Sequence, residues 1–381
     1  MTAQANRPSA PSFFARACKR CSPAYLAGFS LPDWIRFLHR NKWQIDGRYL
    51  PRAAYTTLRT AVTSGIKLFE GRIDLAGVDE AAWRKPVFII GLPRSGTTYL
   101  FNLLARDTRF GFPTRFDVFN PHTFLTLRRL GLHRMLARQP AVKRPMDGIK
   151  VGWDSPEEDI IALGIIAGWG PRVDVVFPKR HAYAEVFQPL MERSEEERIA
   201  FRRALAAFTR KLVYCLKRPL LLKSPTHAVC IADILEVFPE AKLVGIIRKP
   251  AAQFASLSHL HAVTSRDKWA VLQNGPSITE EDILSRLKHH VRSYCSARAA
   301  IRPENLVEVR YEDLVADEAG TLGRIYSCLG LTMPEQFVRG DRKGLYIPNR
   351  HAALVPALAA KLRATYEPFE KLGLLNPERD W

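Results

Sequence analysis

A chain of 381 residues, 47% hydrophobic and 25% charged, has the composition of a globular protein long enough to bury one large core or two smaller ones. Its 57 Lys and Arg against 38 Asp and Glu leave a formal charge of +19, which favours polyanions, phosphate-rich small molecules or an anionic bilayer as partners. Six scattered cysteines exclude a disulfide scaffold, and the most apolar run, residues 160–170, is far shorter than the ~20 residues that cross a bilayer.

Residues 1–12 are rich in Pro, Ala and Ser and are expected to be disordered. No apolar stretch near the start reads as a secretory signal, and with the isolated cysteines this predicts a reducing, cytoplasmic location. Cys18 and Cys21 form a CxxC without a second pair, so no structural zinc site, and no metal, is expected. From Pro32 onward, Trp34, Ile35, Phe37 and Leu38, then Tyr55, Leu58, Val62, Ile66 and Phe69, recur at helical spacing. These define an N-terminal helical region over residues 1–84.

Beyond Pro86 the pattern changes. Strands are predicted at 87–90, 220–223, 242–248 and 306–312, with helices from Thr97 to Ala105, near 228–237 and after Pro250. Short apolar strands alternating with helices imply an α/β domain over 85–381, with a central parallel sheet between helical layers. Ligands then sit beyond the carboxyl ends of the strands. Residues 107–215 are less regular and are expected to fold over the sheet edge as a substrate-facing layer. Trp153, Trp169, Phe119 and Phe124 there either line an apolar pocket or fill the core.

FIIGLPRSGTTYL, residues 88–100, reads as a buried strand, a turn bracketed by Gly91 and Gly96, and a helix start. Such a loop turns successive amides into a concavity at the positive end of a helix and binds phosphate. A nucleotide hydrolase has lysine where Thr97 stands. Arg94 supplies a permanent planar cation instead, so the loop suits a diphosphate-like anion without an obligatory metal.

GLPRSGTTY at 91–99, VGIIRKPAAQFAS at 244–256, VRYEDL at 309–314 and DRKGLY at 341–346 together resemble, in that order, the sulfotransferase superfamily, over roughly residues 86–372. Members of that superfamily use 3′-phosphoadenosine 5′-phosphosulfate, PAPS, as sulfuryl donor and have a P-loop-like three-layer fold. The resemblance implies that Arg94, Ser95, Gly96, Thr97 and Thr98 surround the 5′-phosphosulfate, Arg94 stabilising charge on the bridging oxygen. It implies that Tyr99 and Tyr311 lie at the adenine, and that Arg248, Ser256, Arg342, Lys343 and Gly344 hold the 3′-phosphate. An arginine fork at a strand end and a serine eight residues on, about two helical turns away, can converge on one dianion. RPMD, PEED and LKSPTH elements, at 144–147, 156–159 and 222–227, are similar to those of bacterial members.

Transfer to a hydroxyl needs a base. The resemblance gives Lys223 a part in neutralising the leaving group and makes His227 the base, though displaced by two residues from the family's lysine-histidine spacing. Glu158, within DSPEEDI at 154–160, is the other candidate base; Glu157, Glu158 and Asp159 are expected in the first turn of a helix capped by Asp154 or Ser155. The tyrosylprotein branch has its glutamate where Thr114 and Arg115 stand here, which argues against a protein tyrosine acceptor. The reading is a PAPS-dependent sulfotransferase acting on a hydroxyl, or an amine, of a small or lipid-like acceptor. Two rivals are a nucleotide kinase or hydrolase, disfavoured by the missing loop lysine and magnesium aspartate, and a peripheral protein of anionic membranes that keeps only a nucleotide pocket. With no helix-turn-helix, finger or RNA-binding signature, nucleic acid is not an expected partner. The sequence leaves the acceptor and the oligomeric state open.

Overall fold

Val87, Phe88, Ile89 and Ile90 are all buried, as strand residues must be when helices cover both faces of a sheet. The computed structural model describes residues 26–144, 146–263, 271–338 and 355–381. The apolar run forms β1 (Val87–Gly91), and β2 (Val142–Lys143) and β3 (Lys150–Val151) make a small antiparallel hairpin. With β4 (Leu221–Lys223), β5 (Lys242–Ile247) and β6 (Leu306–Arg310), β1 builds a parallel sheet in the order β4-β1-β5-β6. The chain leaves β1 toward β4 but leaves β5 toward β6, so the connections diverge between β1 and β5. Open α/β sheets bind their ligands at such a point.

The longer helices are α1 (Leu31–Arg40), α2 (Leu50–Glu70), α3 (Thr97–Leu104), α4 (Ile160–Ala167), α5 (Glu195–Leu216), α6 (Pro250–Val263), α7 (Glu280–Arg298), α8 (Glu318–Leu329) and α9 (Pro356–Lys371). Because successive strand residues point to opposite faces, β1 feeds two cores. Val87 and Ile89 pack with α3 and α8, while Phe88 and Ile90 share a core with α5, α7 and α9. The result is the three-layer α/β arrangement that the alternating pattern implies. Trp34 and Phe37 of α1 enter the second core, the Phe37 ring lying 5.5 Å from that of Phe177.

The stretch from 107 to 215 is more ordered than expected. It contains α5, 22 residues long, whose N-cap Ser194 accepts from the Glu197 amide with three glutamates in the first turn. That start signal stands in the sequence. The apolar run 160–170 gives the buried core helix α4.

Candidate active site

A cavity of about 320 Å3 lies at the carboxyl ends of β1 and β5. Arg94, Arg144, Arg172, Arg248 and Arg286 line it against three carboxylates, Asp147, Glu157 and Glu158, so it favours an anionic ligand.

The loop between β1 and α3 is shaped by close approach. A Cβ at Gly96, whose φ is +105°, would lie 2.5 Å from Cδ2 of Tyr311, and one at Gly91 would lie 2.6 Å from the Ile246 carbonyl. Arg94 itself has φ of 66°, a left-handed conformation that costs a non-glycine residue about 1 kcal/mol or more. Two side chains of the β5–α6 unit hold it there. Gln253 Nε2 donates to the Pro93 carbonyl at 2.8 Å and Arg248 Nη1 to the Arg94 carbonyl at 3.2 Å. Tyr366 in turn donates to Gln253.

The side chains expected at the donor converge. Arg94 Nε donates to Ser256 Oγ at 3.0 Å, and its Nη1 meets Asp147 at 3.2 Å. Asp147 also accepts from Arg144 Nη2 at 2.7 Å. The Arg248 guanidinium lies 4.5 Å from the centre of the Tyr311 ring. Tyr99 meets Tyr311 edge-on at 6.3 Å and donates to Glu318. Ser95 Oγ and Arg248 Nε are buried without a hydrogen-bond partner among the described residues. Buried polar atoms left over in this way fit an anion held between the loop and the end of β5. Thr97 is buried at the start of α3, and Thr98 lines the cavity. Arg342, Lys343 and Gly344 lie outside the described residues.

Lys223, at the end of β4 and 2% exposed, connects the loop to the cavity wall. Its Nζ donates to Thr98 Oγ1 at 3.3 Å and to Glu158 Oε1 at 3.1 Å, while Arg172 Nη2 meets Glu158 Oε2 at 2.6 Å. Burial alone raises the Glu158 carboxyl, but Lys223 and Arg172 outweigh it and hold the group well below the ordinary carboxylate range. It is an anion at neutral pH.

Two expectations change. The segment 154–159 is not a first helical turn: α4 begins at Ile160, and neither Asp154 nor Ser155 caps it. Bonds from Arg115, Phe116 and Glu157 amides to the Ser155, Trp153 and Pro113 carbonyls keep the segment along 113–116 instead. Thr114, opposite Pro156, caps its own short helix. The chain turns into α4 at Asp159, whose backbone is already helical (φ -61°, ψ -27°), and Glu158 reaches the cavity while Asp159 reaches His227. His227 is fully buried, with Nε2 2.9 Å from Asp159 and its ring edge-on to Phe88. It does not line the cavity, so its surroundings suit a structural histidine and not the proton acceptor expected from LKSPTH. Of the four aromatics, Phe119 lines the cavity, whereas Phe124 packs on Phe208 in the core. Trp169 is buried beneath Arg193, and Trp153 lies edge-on to Phe119.

Arg286 lines this cavity, and its partner Tyr183 does not. Arg286 donates to the Tyr183 hydroxyl, which lies 2.7 Å from His261 Nε2. Tyr183 and His261 also line a second, largely apolar cavity of about 520 Å3. The sequence singled out neither Arg172 nor Arg286, because a lone arginine on a helix has no motif to mark it, nor Gln253, which lies inside the 244–256 segment but whose bond to the Pro93 carbonyl only the fold creates.

Burial, helped by Arg286, pushes both His261 and the fully buried His290 down to about 3. Both are neutral in the folded protein but charge in the unfolded chain below their ordinary value of 6.5. The unfolded state then binds more protons, so stability is full above pH 6.5 and declines as pH falls toward 3. The expected slope is about 1.4 kcal/mol per pH unit for each histidine. Urea midpoints measured against pH should show this decline, and His290→Gln should remove about one proton from the slope; an unaltered slope in that variant would rule His290 out as a source.

Residues 86–335 match the model of the sulfotransferase family. Curated relatives from Mycobacterium bovis and Mycobacterium tuberculosis, each named omega-hydroxy-beta-dihydromenaquinone-9 sulfotransferase Stf3, are 29% identical over 305 residues, covering 80% of this chain and 78% of theirs. Among solved structures, sulfotransferase STF9 from Mycobacterium avium superposes with a TM-score of 0.62 at 20% identity, covering 86% of each chain. Sulfotransferase STF1 from Mycobacterium tuberculosis gives 0.54 at 18% identity, over 93% of this chain and 91% of its own. The family model spans the loop, Glu158, Lys223, Arg248 and Ser256 alike, and the chain belongs to the sulfotransferase family, as a PAPS-dependent enzyme of sulfuryl transfer.

Proposed function

We propose that this enzyme sulfates a hydroxyl on a lipid-like acceptor, with Arg94 and Lys223 neutralising the leaving group and Glu158 accepting the proton. One observation carries the reading: the buried Lys223 ammonium touches both Thr98 of the phosphate loop and Glu158 in the cavity. Donor end and acceptor end are thus joined through one cation.

Bound PAPS supplies the activated sulfuryl group, and the residues present fit it. Ser95, Gly96, Thr97 and Thr98 would hold its 5′ end, Arg248 and Ser256 its 3′-phosphate, and Tyr99 and Tyr311 its base; Arg342, Lys343 and Gly344 belong to the same proposal from the sequence. Arg94 is fixed by a backbone it would not choose alone, so its charge is positioned before any ligand arrives. Lys223 orients the Glu158 carboxylate, and Arg172 holds its other oxygen. An acceptor hydroxyl next to Glu158 can pass its proton to a group that is already an anion. The cations on hand lie in the protein, which supports transfer without an obligatory metal.

A lipid-like acceptor is supported by the apolar second cavity and by the quinone named for the 29% identical relatives. A cytoplasmic setting is supported by the free thiols at Cys215, Cys230, Cys295 and Cys328. Among the described residues no helix is long and apolar enough to cross a membrane. The test is transfer of label from ³⁵S-PAPS to hydroxylated isoprenoid quinols, sterols, phenols and sugar alcohols offered in detergent. Label in the quinol or sterol fraction is expected; label confined to sugars would overturn the lipid reading while leaving the donor assignment intact.

A further inference from the structure

The 21-residue helix α2 is built inside out. Toward the protein it buries Arg52, Thr56, Thr60, Thr63 and Glu70, with Ala53 the one apolar residue among them. Toward solvent it presents Tyr55, Leu58, Val62, Leu68 and Phe69, with Leu58 68%, Leu68 73% and Phe69 64% exposed. With Leu50 and the small residues between them, these side chains fall on one arc of roughly 140° at 3.6 residues per turn. No charge stands in that arc. Of the periodic residues that mark this segment as a helix, Tyr55, Leu58, Val62 and Phe69 belong to its outer face, and Ile66 is half-buried against the core.

The helix cannot simply roll over to bury these side chains. Arg52 donates to the Val271 carbonyl at 2.7 Å, and the Trp34 indole donates to Thr57 at 2.9 Å. The Leu125 and Thr126 amides donate to the Glu70 carboxylate, which also pairs with Lys211. Turning the helix would strand these buried polar groups. An apolar surface of this extent on a rigidly oriented helix marks an interaction site.

Charge identifies the partner. Lys42, Arg48, Arg59 and Arg72 are exposed along and beyond the arc, and Trp43 beside the helix start is 50% exposed. The nearby carboxylates are engaged: Asp46 by Lys179, Glu70 by Lys211, and Asp74 by the Ala76 amide. The helix Phe124–Arg129 packs against α2 and runs into Leu132–Ala137, which buries none of its own residues. There Leu130 and Met135 are 67% and 60% exposed among Arg129, Arg134 and Arg138, also exposed. The face of α2 is about 31 Å long.

We propose that the outer face of α2 is a membrane-docking surface that lies in the interface of an anionic bilayer, its apolar arc among the acyl chains and its flanking arginines and lysines at the headgroups. This goes beyond the transfer chemistry, because docking is read without turnover. The whole protein is floated with vesicles of phosphatidylcholine alone and of phosphatidylcholine with phosphatidylglycerol. Association with the anionic vesicles is expected, weakening as salt screens the basic flank. The triple variant Leu58→Ser, Val62→Ser, Phe69→Ser should lose about tenfold or more of that affinity, while its thermal shift with adenosine 3′,5′-bisphosphate stays that of the parent. A wild-type protein that ignores both vesicles overturns the proposal, and so does a triple variant that binds like the parent, since basic charge alone would then suffice. A wild-type dimer that the variant converts to monomer, without vesicle binding, overturns it in favour of a second copy of the chain.

Discussion

Replacing Arg94 by alanine is expected to lower turnover by about 10²- to 10³-fold, the cost of losing one preorganised donor at a developing charge. The expectation rests on how Arg94 is held. Its backbone sits at φ 66° between carbonyls gripped by Gln253 and Arg248, and its side chain runs to Ser256 and Asp147. Alanine keeps the backbone bonds from Gln253 and Arg248 and removes the cation with its contacts to Ser256 and Asp147, so donor affinity should change less than turnover. Arg248→Ala should divide the effects the other way. Its guanidinium stacks on Tyr311 and has a buried Nε without a partner among the described residues. Removing a charged hydrogen-bonding group costs about 1.5–3 kcal/mol, so donor affinity should fall by roughly 10- to 100-fold, with turnover at saturating donor nearly unchanged. Steady-state kinetics with labelled donor separate the two cases. A turnover loss from Arg248→Ala at saturating donor, or none from Arg94→Ala, would reverse their assigned roles.

Glu158→Gln is the second large effect, a fall in turnover of about 10²- to 10⁴-fold. The amide is nearly isosteric but cannot take a proton, and it leaves Lys223 and Arg172 without their shared carboxylate. A merely structural role predicts something different: weaker donor binding and a lower melting temperature, with turnover kept once donor saturates. The pH profile gives an independent readout. Because the lysine and arginine charges outweigh burial and hold the Glu158 carboxyl below the ordinary range, the wild-type rate should keep its acidic limb below that range too. If Glu158→Gln retains turnover within a few-fold, the proton goes elsewhere, and Asp147, which also lines the cavity and whose side chain is 2% exposed, is the next candidate.

Much of the architecture was legible because it is local. VFII is apolar on both sides of the strand, and a run of that kind forms only between two helical layers. The glycines at 91 and 96 are required by close contacts with Ile246 and Tyr311, and the turn they bracket is readable without knowing either neighbour. The family resemblance gave donor residues from β1, β5 and the segment after β6 as one set, and Arg94, Ser256, Arg248 and Tyr311 do meet around one cavity. His227 and Glu158 were harder. Both occur beside plausible motifs, and pKa preference alone favoured the histidine. What separates them is that segment 154–159 lies along 113–116, so that Glu158 meets Lys223 while Asp159 takes the imidazole into the core.

The outer face of α2 shows the same limit more sharply. Its 3.6-residue periodicity fixes a helix, but periodicity has no sign: it says that one face is apolar and not which way that face looks. The sequence by itself determined the four strands of the parallel sheet, the glycine-bracketed loop after the first of them, and the family. Which carboxylate reaches the cavity, which histidine is shut away and which side of a helix meets solvent were decided only by tertiary structure. Burial and hydrogen-bond partners depend on segments far apart in the chain, and those pairings exist only once the sheet and its helices have packed.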